Sequence, residues 1–142
     1  MRERASTESV ALLCLDIAGR RWALPLDAVD RVVAMVAIEP LPGAPTGVCG
    51  AVNVHGEIVP VLDLDTRLGH PPREHRPEEA LVLARTRGGL LALPADDVTG
   101  VIEVDAGAIS PPPPHVPAPL AGLAALPEGV LLVSDLDAAL AG

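Results

Sequence analysis

The stretch Val48–Gly69, VCGAVNVHGEIVPVLDLDTRLG, holds two strands, a tight turn and a capped helix in direct succession. Val48, Ala51, Val52 and Val54 lead into His55-Gly56, and Ile58, Val59, Val61 and Leu62 return from it. An apolar run on each side of a Gly-bearing turn predicts a hairpin, with Gly56 holding the positive backbone angle that the turn requires. Asp63 stands where an N-cap belongs, Leu64 and Leu68 have helical spacing, and Gly69 followed by Pro71 and Pro72 supplies the stop. Pro60 lies inside the returning strand, where a missing amide donor belongs at an edge or a bulge.

Outward from this stretch the same order recurs. Ala11–Ile17, a turn at Gly19 and Trp22-Ala23-Leu24 ending at Pro25 predict an earlier hairpin. Arg31–Val36 is β-branched enough for a further strand, after which Pro40, Pro42 and Pro45 exclude regular hydrogen-bonded structure. Downstream, Leu81-Val82-Leu83, a turn at Gly88-Gly89 and Leu90–Pro94 repeat the order strand, Gly turn, strand, Pro. A shift of 69 residues carries Leu24-Pro25, Asp27, Val29 and Val32-Val33 onto Leu93-Pro94, Asp96, Val98 and Val101-Ile102. A shift of 72 carries Gly50, Ile58-Val59, Val61 and Asp63-Leu64-Asp65 onto Gly122, Val130-Leu131, Val133 and Asp135-Leu136-Asp137. One difference in loop length accounts for the change of shift.

The expected architecture is all-β, with a subdomain over about 10–69, a polar, Pro-rich linker over about 70–79 and a second subdomain over about 80–142, behind a disordered tail at 1–9. Each unit reads as a small barrel of about five short strands that closes most of its own edges and ends in an Asp-capped helix, and the two bury apolar faces against each other. Pro111–Pro114, with Pro117 and Pro119, reads as a stiff extended loop.

Composition narrows the function. The net charge is −9 and all ten basic residues are scattered arginines, which argues against a nucleic-acid partner. The apolar fraction is 49% and the mean hydropathy +0.39, yet no run approaches the ~20 apolar residues of a membrane span. The reading is a soluble, cytoplasmic protein without direct membrane insertion, since MRERASTES has no apolar core or cleavage pattern behind it, and with apolar surface for a partner. Cys14 and Cys49 lack CxxC spacing and read as buried, reduced thiols. Trp22 is the sole aromatic residue, so base stacking and aromatic cages are excluded.

Catalytic material is sparse. None of the serines or threonines lies in a GxSxG-type elbow, and the absence of lysine excludes a GxxxxGK[ST] phosphate loop. His70 and His75 lie five apart in a Pro-rich segment with no Cys near them in sequence, a poor frame for a metal. The pairs Asp63/Asp65 and Asp135/Asp137 fall at matched places of the repeat, where Asp serves as a cap. Asp96/Asp97 carries no stronger signal. The expectation is a protein with no cofactor, no metal and no catalytic residues, a binding module or scaffold.

Gly50-Ala51-Val52-Asn53-Val54-His55-Gly56-Glu57-Ile58-Val59-Pro60-Val61-Leu62-Asp63-Leu64 resembles the G-(I/V)-(I/V)-N-L-R-G-x-(I/V)-(I/V)-P-V-(I/V)-D-L signature of the CheW family of chemotaxis coupling proteins. Trp22–Leu26 with Val29, Leu41–Pro45, Gly122-Leu123 and Leu131–Leu140 are similar to further family segments, so the likeness runs from about Leu12 to Leu140. The resemblance implies two five-stranded SH3-like barrels around a shared hydrophobic core. It also implies a non-enzymatic adaptor that bridges the regulatory domain of a CheA-type histidine kinase and the cytoplasmic tip of a chemoreceptor, recruited to membrane-associated receptor arrays and open to CheW–CheW ring contacts. Arg31, Val33, Asn53, His55, Glu57, Val101 and Ile102 are the expected partner-binding residues, and Gly56, Pro60, Asp63 and Gly69 the structural turn and cap residues. Two positions depart from the family: His55 replaces the usual Arg of the turn, and Arg31 stands where Glu is frequent. A differently charged partner is the expectation from them, in a pathway such as pilus motility or gene regulation. The alternative is an orphan double-barrel protein that self-assembles or regulates a non-chemotactic histidine kinase.

Overall fold

The computed structural model describes residues 8–116 and 120–140. Residues 1–7, where most of the expected tail falls, and Pro117 and Pro119 of the Pro-rich loop lie outside the described residues. Ser9, also assigned to the tail, instead begins the first strand.

Among the described residues, eleven strands and two short helices follow in order. The first half holds β1 (Ser9–Ile17), β2 (Arg20–Pro25), β3 (Val29–Ala34), β4 (Val48–Val54), β5 (Glu57–Leu62) and α1 (Leu64–Arg67). The second holds β6 (Ala80–Thr86), β7 (Gly89–Ala95), β8 (Asp97–Asp105), β9 (Ile109–Ser110), β10 (Leu120–Leu126), β11 (Gly129–Ser134) and α2 (Leu136–Leu140).

The strands form two sheets, in the orders β8-β1-β2-β11-β10-β9 and β3-β6-β7-β5-β4. The division between sheets therefore differs from the division of the chain at 70–79. Each repeat sends its opening hairpin into the sheet built by the closing strands of the other. β1-β2 sits beside β8–β11, and β6-β7 beside β3–β5. The hairpins are held there by antiparallel pairing at β1-β8 and β3-β6, and by parallel pairing at β2-β11 and β5-β7. This exchange makes the linker a crossing between barrels rather than a hinge between independent halves.

The exchange also explains why the opening hairpins are apolar on both faces, as expected for strands covered on two sides. Leu12, Cys14 and Ala23 face the interior of one barrel with Leu131 and Val133. Leu81, Leu83 and Ala92 face the interior of the other with Val52, Val59 and Val61. The opposite faces, Leu13, Leu15, Ile17, Trp22 and Leu24 against Val82, Ala84, Leu91 and Leu93, form the shared core between the barrels. Successive residues of a strand point to opposite faces, so one seven-residue run serves two cores.

Each barrel is closed by a strand that leaves one neighbour and reaches another. In the first, β3 pairs with β6, and Glu39 further along the chain bridges Ala51 of β4. In the second, β8 pairs with β1, and after a 3-10 turn at Ala106–Ala108 β9 pairs with β10, which gives six strands where five are expected. Gly50 and Gly122 mark both closures. A Cβ on Gly50, whose φ is +148°, would fall inside the Glu39 carbonyl, and one on Gly122 would stand 2.8 Å from the Ser110 oxygen.

Pro60 lies in β5, an interior strand between β7 and β4, and pairs in register with Ala51 beyond the shift at Val48/Gly50, so it stands at neither the edge nor the bulge expected for it. Only Val61↔Ala92 pairs β5 with β7, whereas the equivalent β11-β2 contact, with Leu132 in place of Pro60, has three residue pairs. The missing amide shortens the parallel ladder instead of ending the strand.

Candidate functional site

The seven expected partner-binding residues fall on three elements. Asn53, His55 and Glu57 share the β4-β5 hairpin, Arg31 and Val33 lie on β3, and Val101 and Ile102 lie on β8 of the other sheet. β3 and β8 are repeat equivalents, so the residues make two related edges and one hairpin tip. Val33 and Ile102 turn inward and pack against the two barrel interiors, while Val101 stays exposed.

The hairpin tip is a two-residue turn in which both His55 (φ 51°) and Gly56 (φ 89°) are left-handed. Such a turn follows the right-handed twist of the strands it joins. Asn53 Oδ1 accepts from Gly56 N at 2.8 Å, so this side chain braces the turn, and the imidazole of His55 stands exposed on it. On β3, Asp30 lies between two arginines: Arg31 Nη1 donates to one oxygen at 2.8 Å and Arg85 Nη1 to the other at 2.9 Å. Two guanidinium groups thus bracket one carboxylate on this edge, and Arg85 also reaches the Asp27 carbonyl at 3.0 Å.

The expected cap and stop residues take the expected roles. Asp63 Oδ1 accepts from Asp65 N at 3.0 Å and Thr66 N at 3.1 Å, and Gly69, at φ 120°, ends the helix with its N–H donating to the Thr66 carbonyl. Asp65, which the sequence pairs with Asp63 as a cap, does not cap the helix: its own N–H donates to Asp63. The Asp65 carboxylate, on α1 after the last strand of one barrel, accepts Arg20 Nε at 2.7 Å, Arg20 Nη2 at 2.6 Å and Trp22 Nε1 at 3.3 Å from β2 of the other barrel. Burial disfavours the charged carboxylate, but the Arg20 and Trp22 hydrogen bonds outweigh it and hold the group below its ordinary value. Asp137, the repeat equivalent of Asp65, accepts from Arg87 N in the β6-β7 turn at 2.8 Å. Each repeat thus ties its terminal helix to the hairpin lodged in the opposite barrel.

A buried polar cluster lies where the crossing segment 70–79 meets β4 and α1. Glu79 and Asp63 are 2% and 1% exposed. Glu79 Oε2 accepts from Arg76 N at 2.8 Å, and Glu79 Oε1 lies 3.2 Å from His75 Nδ1. His75 Nε2 in turn lies 3.5 Å from Cys49 Sγ and 3.7 Å from Asp63 Oδ2. Arg73 Nε stands 3.0 Å from the same Asp63 oxygen, outside hydrogen-bonding geometry, so that buried oxygen accepts no hydrogen bond. Cys49 is the extra residue at the β4 register shift between Val48 and Gly50, and the bulge aims its side chain out of the ladder. Position in the chain hides this grouping, since Cys49, Asp63 and the His75/Glu79 pair are far apart. One signal is present in the repeat: the matching bulge carries Ala121, so Cys49 breaks an otherwise matched position.

The arrangement suits recognition better than covalent chemistry. Burial pushes the Cys14 thiol up, and burial together with the Asp63 charge pushes Cys49 up to about 11, so both are poor nucleophiles. Ser134 is buried and donates to the Ala23 carbonyl at 2.9 Å. Among the described residues no helix is long and apolar enough to cross a membrane.

The family model of the CheW-like domain matches residues 11–142. The chain is 24% identical over 102 residues to the chemotaxis protein CheW of Rhizobium meliloti, an alignment covering 72% of this chain and 66% of that one. It is 29% identical over 100 residues to protein FrzA of Myxococcus xanthus, covering 70% and 62%. The matches span just under two thirds of these relatives' own length. The crystal structure of the scaffolding protein TtCheW from Thermoanaerobacter tengcongensis is similar with a TM-score of 0.81 and 25% identity, over 95% of this chain and 94% of that one.

Proposed function

The chain belongs to the CheW-like domain family, and we propose that it is a non-catalytic chemosensory adaptor, one that couples the regulatory domain of a CheA-type histidine kinase to the cytoplasmic tips of chemoreceptors. In this role it works in the cytoplasm and joins membrane-associated receptor arrays. The observation that carries the reading is the paired exposure of large apolar residues. Val32 on β3 and Val101 on β8 are 45% and 51% exposed, and Ile58 on β5 and Val130 on β11 are 67% and 57% exposed. Each pair occupies equivalent places of the repeat, so each barrel offers one edge strand and one closing strand to a partner. The fully buried centre of an interface is its most apolar part, and two related apolar faces suit an adaptor that must hold two partners at once.

Partner choice follows from charge in this reading. The Arg31 guanidinium on β3 and the imidazole of His55 select a receptor tip or kinase face of different charge from that of relatives carrying Glu and Arg there. The test is co-purification of the full chain with a histidine-kinase regulatory domain and a receptor tip. A three-component complex supports the adaptor. Homo-oligomers with no kinase binding at micromolar concentration favour the orphan double-barrel reading.

A further inference from the structure

We propose that Cys49 Sγ, His75 Nε2 and Asp63 Oδ2 form a binding site for one divalent transition-metal ion of the zinc class. The proposal stands apart from the adaptor reading, because it concerns the seam between the crossing segment and the barrel rather than the exposed faces.

Geometry is the first support. The three donor atoms lie within 4.8 Å of one another. With Zn–S of ~2.3 Å and Zn–N of ~2.0 Å, a tetrahedral centre holds its sulfur and nitrogen donors roughly 3.5 Å apart. Cys49 Sγ and His75 Nε2 are 3.5 Å apart, and His75 Nε2 is 3.7 Å from Asp63 Oδ2. The second support is orientation. With Nδ1–H donated to Glu79 Oε1, the lone pair of His75 Nε2 faces the sulfur, the carboxylate–histidine arrangement that fixes metal-binding imidazoles. The third is the buried Asp63 Oδ2, which accepts no hydrogen bond although Oδ1 of the same carboxylate is fully used by the helix cap.

Charge agrees with the geometry. Asp63, Glu79 and Asp96 face two guanidinium groups, Arg73 and Arg76, which leaves one negative charge uncompensated when His75 is neutral. A divalent ion bound with a cysteine thiolate brings the cluster to neutrality, the thiol proton leaving to solvent. Thiolate, imidazole and carboxylate together favour zinc over calcium or magnesium. Cys49 and His75 also line a cavity of about 620 Å³ whose apolar wall includes Met35, Val36, Ile38 and Pro72, from which a further ligand could approach the ion. The bound ion would staple His75 of the crossing segment to β4 and to the cap of α1. The repeat offers no second copy, since Ala121 stands where Cys49 does.

The test is titration of chelator-treated full-length protein with Co²⁺, followed by displacement with Zn²⁺. The expected result is one cobalt per chain, with ligand-field bands of tetrahedral intensity and a sulfur-to-cobalt charge-transfer band, and a melting temperature that rises with zinc. Cys49→Ala, which places at one bulge the residue that the other already carries, removes the charge-transfer band and the thermal shift. His75→Gln does the same, and Glu79→Gln weakens binding about 10–100-fold. Absence of cobalt binding by the folded wild type overturns the proposal. So does binding that persists unchanged in Cys49→Ala or lacks the charge-transfer band, which assigns the metal to exposed histidines.

Discussion

Arg20 of one barrel and Asp65 on the helix that ends the other form a two-bond pair at 2.7 and 2.6 Å, and the indole N–H of Trp22 donates to the same carboxylate. This contact joins the barrels at a buried group, beside the shared core. Because Trp22 is the only aromatic residue, its fluorescence reports on the joint directly.

Asp65→Asn is expected to lower stability at pH 7 by about 1–2 kcal/mol, the low end for a charged hydrogen-bond partner because Arg20 keeps access to water. The folded carboxyl titrates below its ordinary value of 3.8, so its contribution is complete above 3.8 and is lost as pH falls through the lower folded value. Urea melts followed by Trp22 fluorescence should show wild type and variant separated at pH 7 and converging toward pH 2. A constant separation across that range contradicts the assignment.

Gly50→Ala drives a methyl group into the Glu39 carbonyl at the barrel closure and should cost about 3 kcal/mol, from overpacking together with a positive φ. Gly56→Ala has open space around its Cβ and pays only the backbone term, about 1 kcal/mol. Equal losses in thermal melts would show that closure at Glu39 is not what constrains Gly50.

Pro60→Leu gives β5 the residue found at the equivalent place of β11. The restored amide should extend the β5-β7 ladder beyond its one residue pair toward the three of β11-β2. Stability should stay within about 1 kcal/mol, since one hydrogen bond is gained and the stiffness of proline is lost. Hydrogen exchange is the readout: slower exchange on β5 and β7 is expected, and unchanged exchange would contradict the account of the short ladder.

Much of this architecture was legible in local pattern. The β4-β5 hairpin, the Asp63 cap and the Gly69 stop are set by residues close to one another in the chain, and each is found where the local chemistry puts it. The repeat of Val32-Val33 as Val101-Ile102 likewise corresponds to β3 and β8. The exchange of hairpins was not legible, because Leu12–Leu15 and Leu81–Ala84 are equally apolar and nothing local says which barrel each one enters. Nor was the cluster at Cys49, His75 and Glu79, whose members meet only when the crossing segment lies back on β4.

Charge on the partner-facing edges gives a separate test. His55→Arg with Arg31→Glu restores the charges frequent in the family and should shift binding by about tenfold or more between the chain's own receptor tip and that of a standard pathway. Both affinities staying fixed would remove partner choice from these two side chains.

Calorimetry on two exposed positions tests most directly whether the two barrels dock different partners through equivalent apolar faces. Ile58→Glu and Val130→Glu change residues that are 67% and 57% exposed, so neither should alter the melting temperature. Titrated against a CheA-type regulatory domain and a receptor tip, the wild type should bind both at micromolar concentration. One substitution should abolish binding of the kinase domain and the other binding of the receptor tip. Retention of both partners by both variants, or the lack of either partner with the wild type, would contradict the adaptor account.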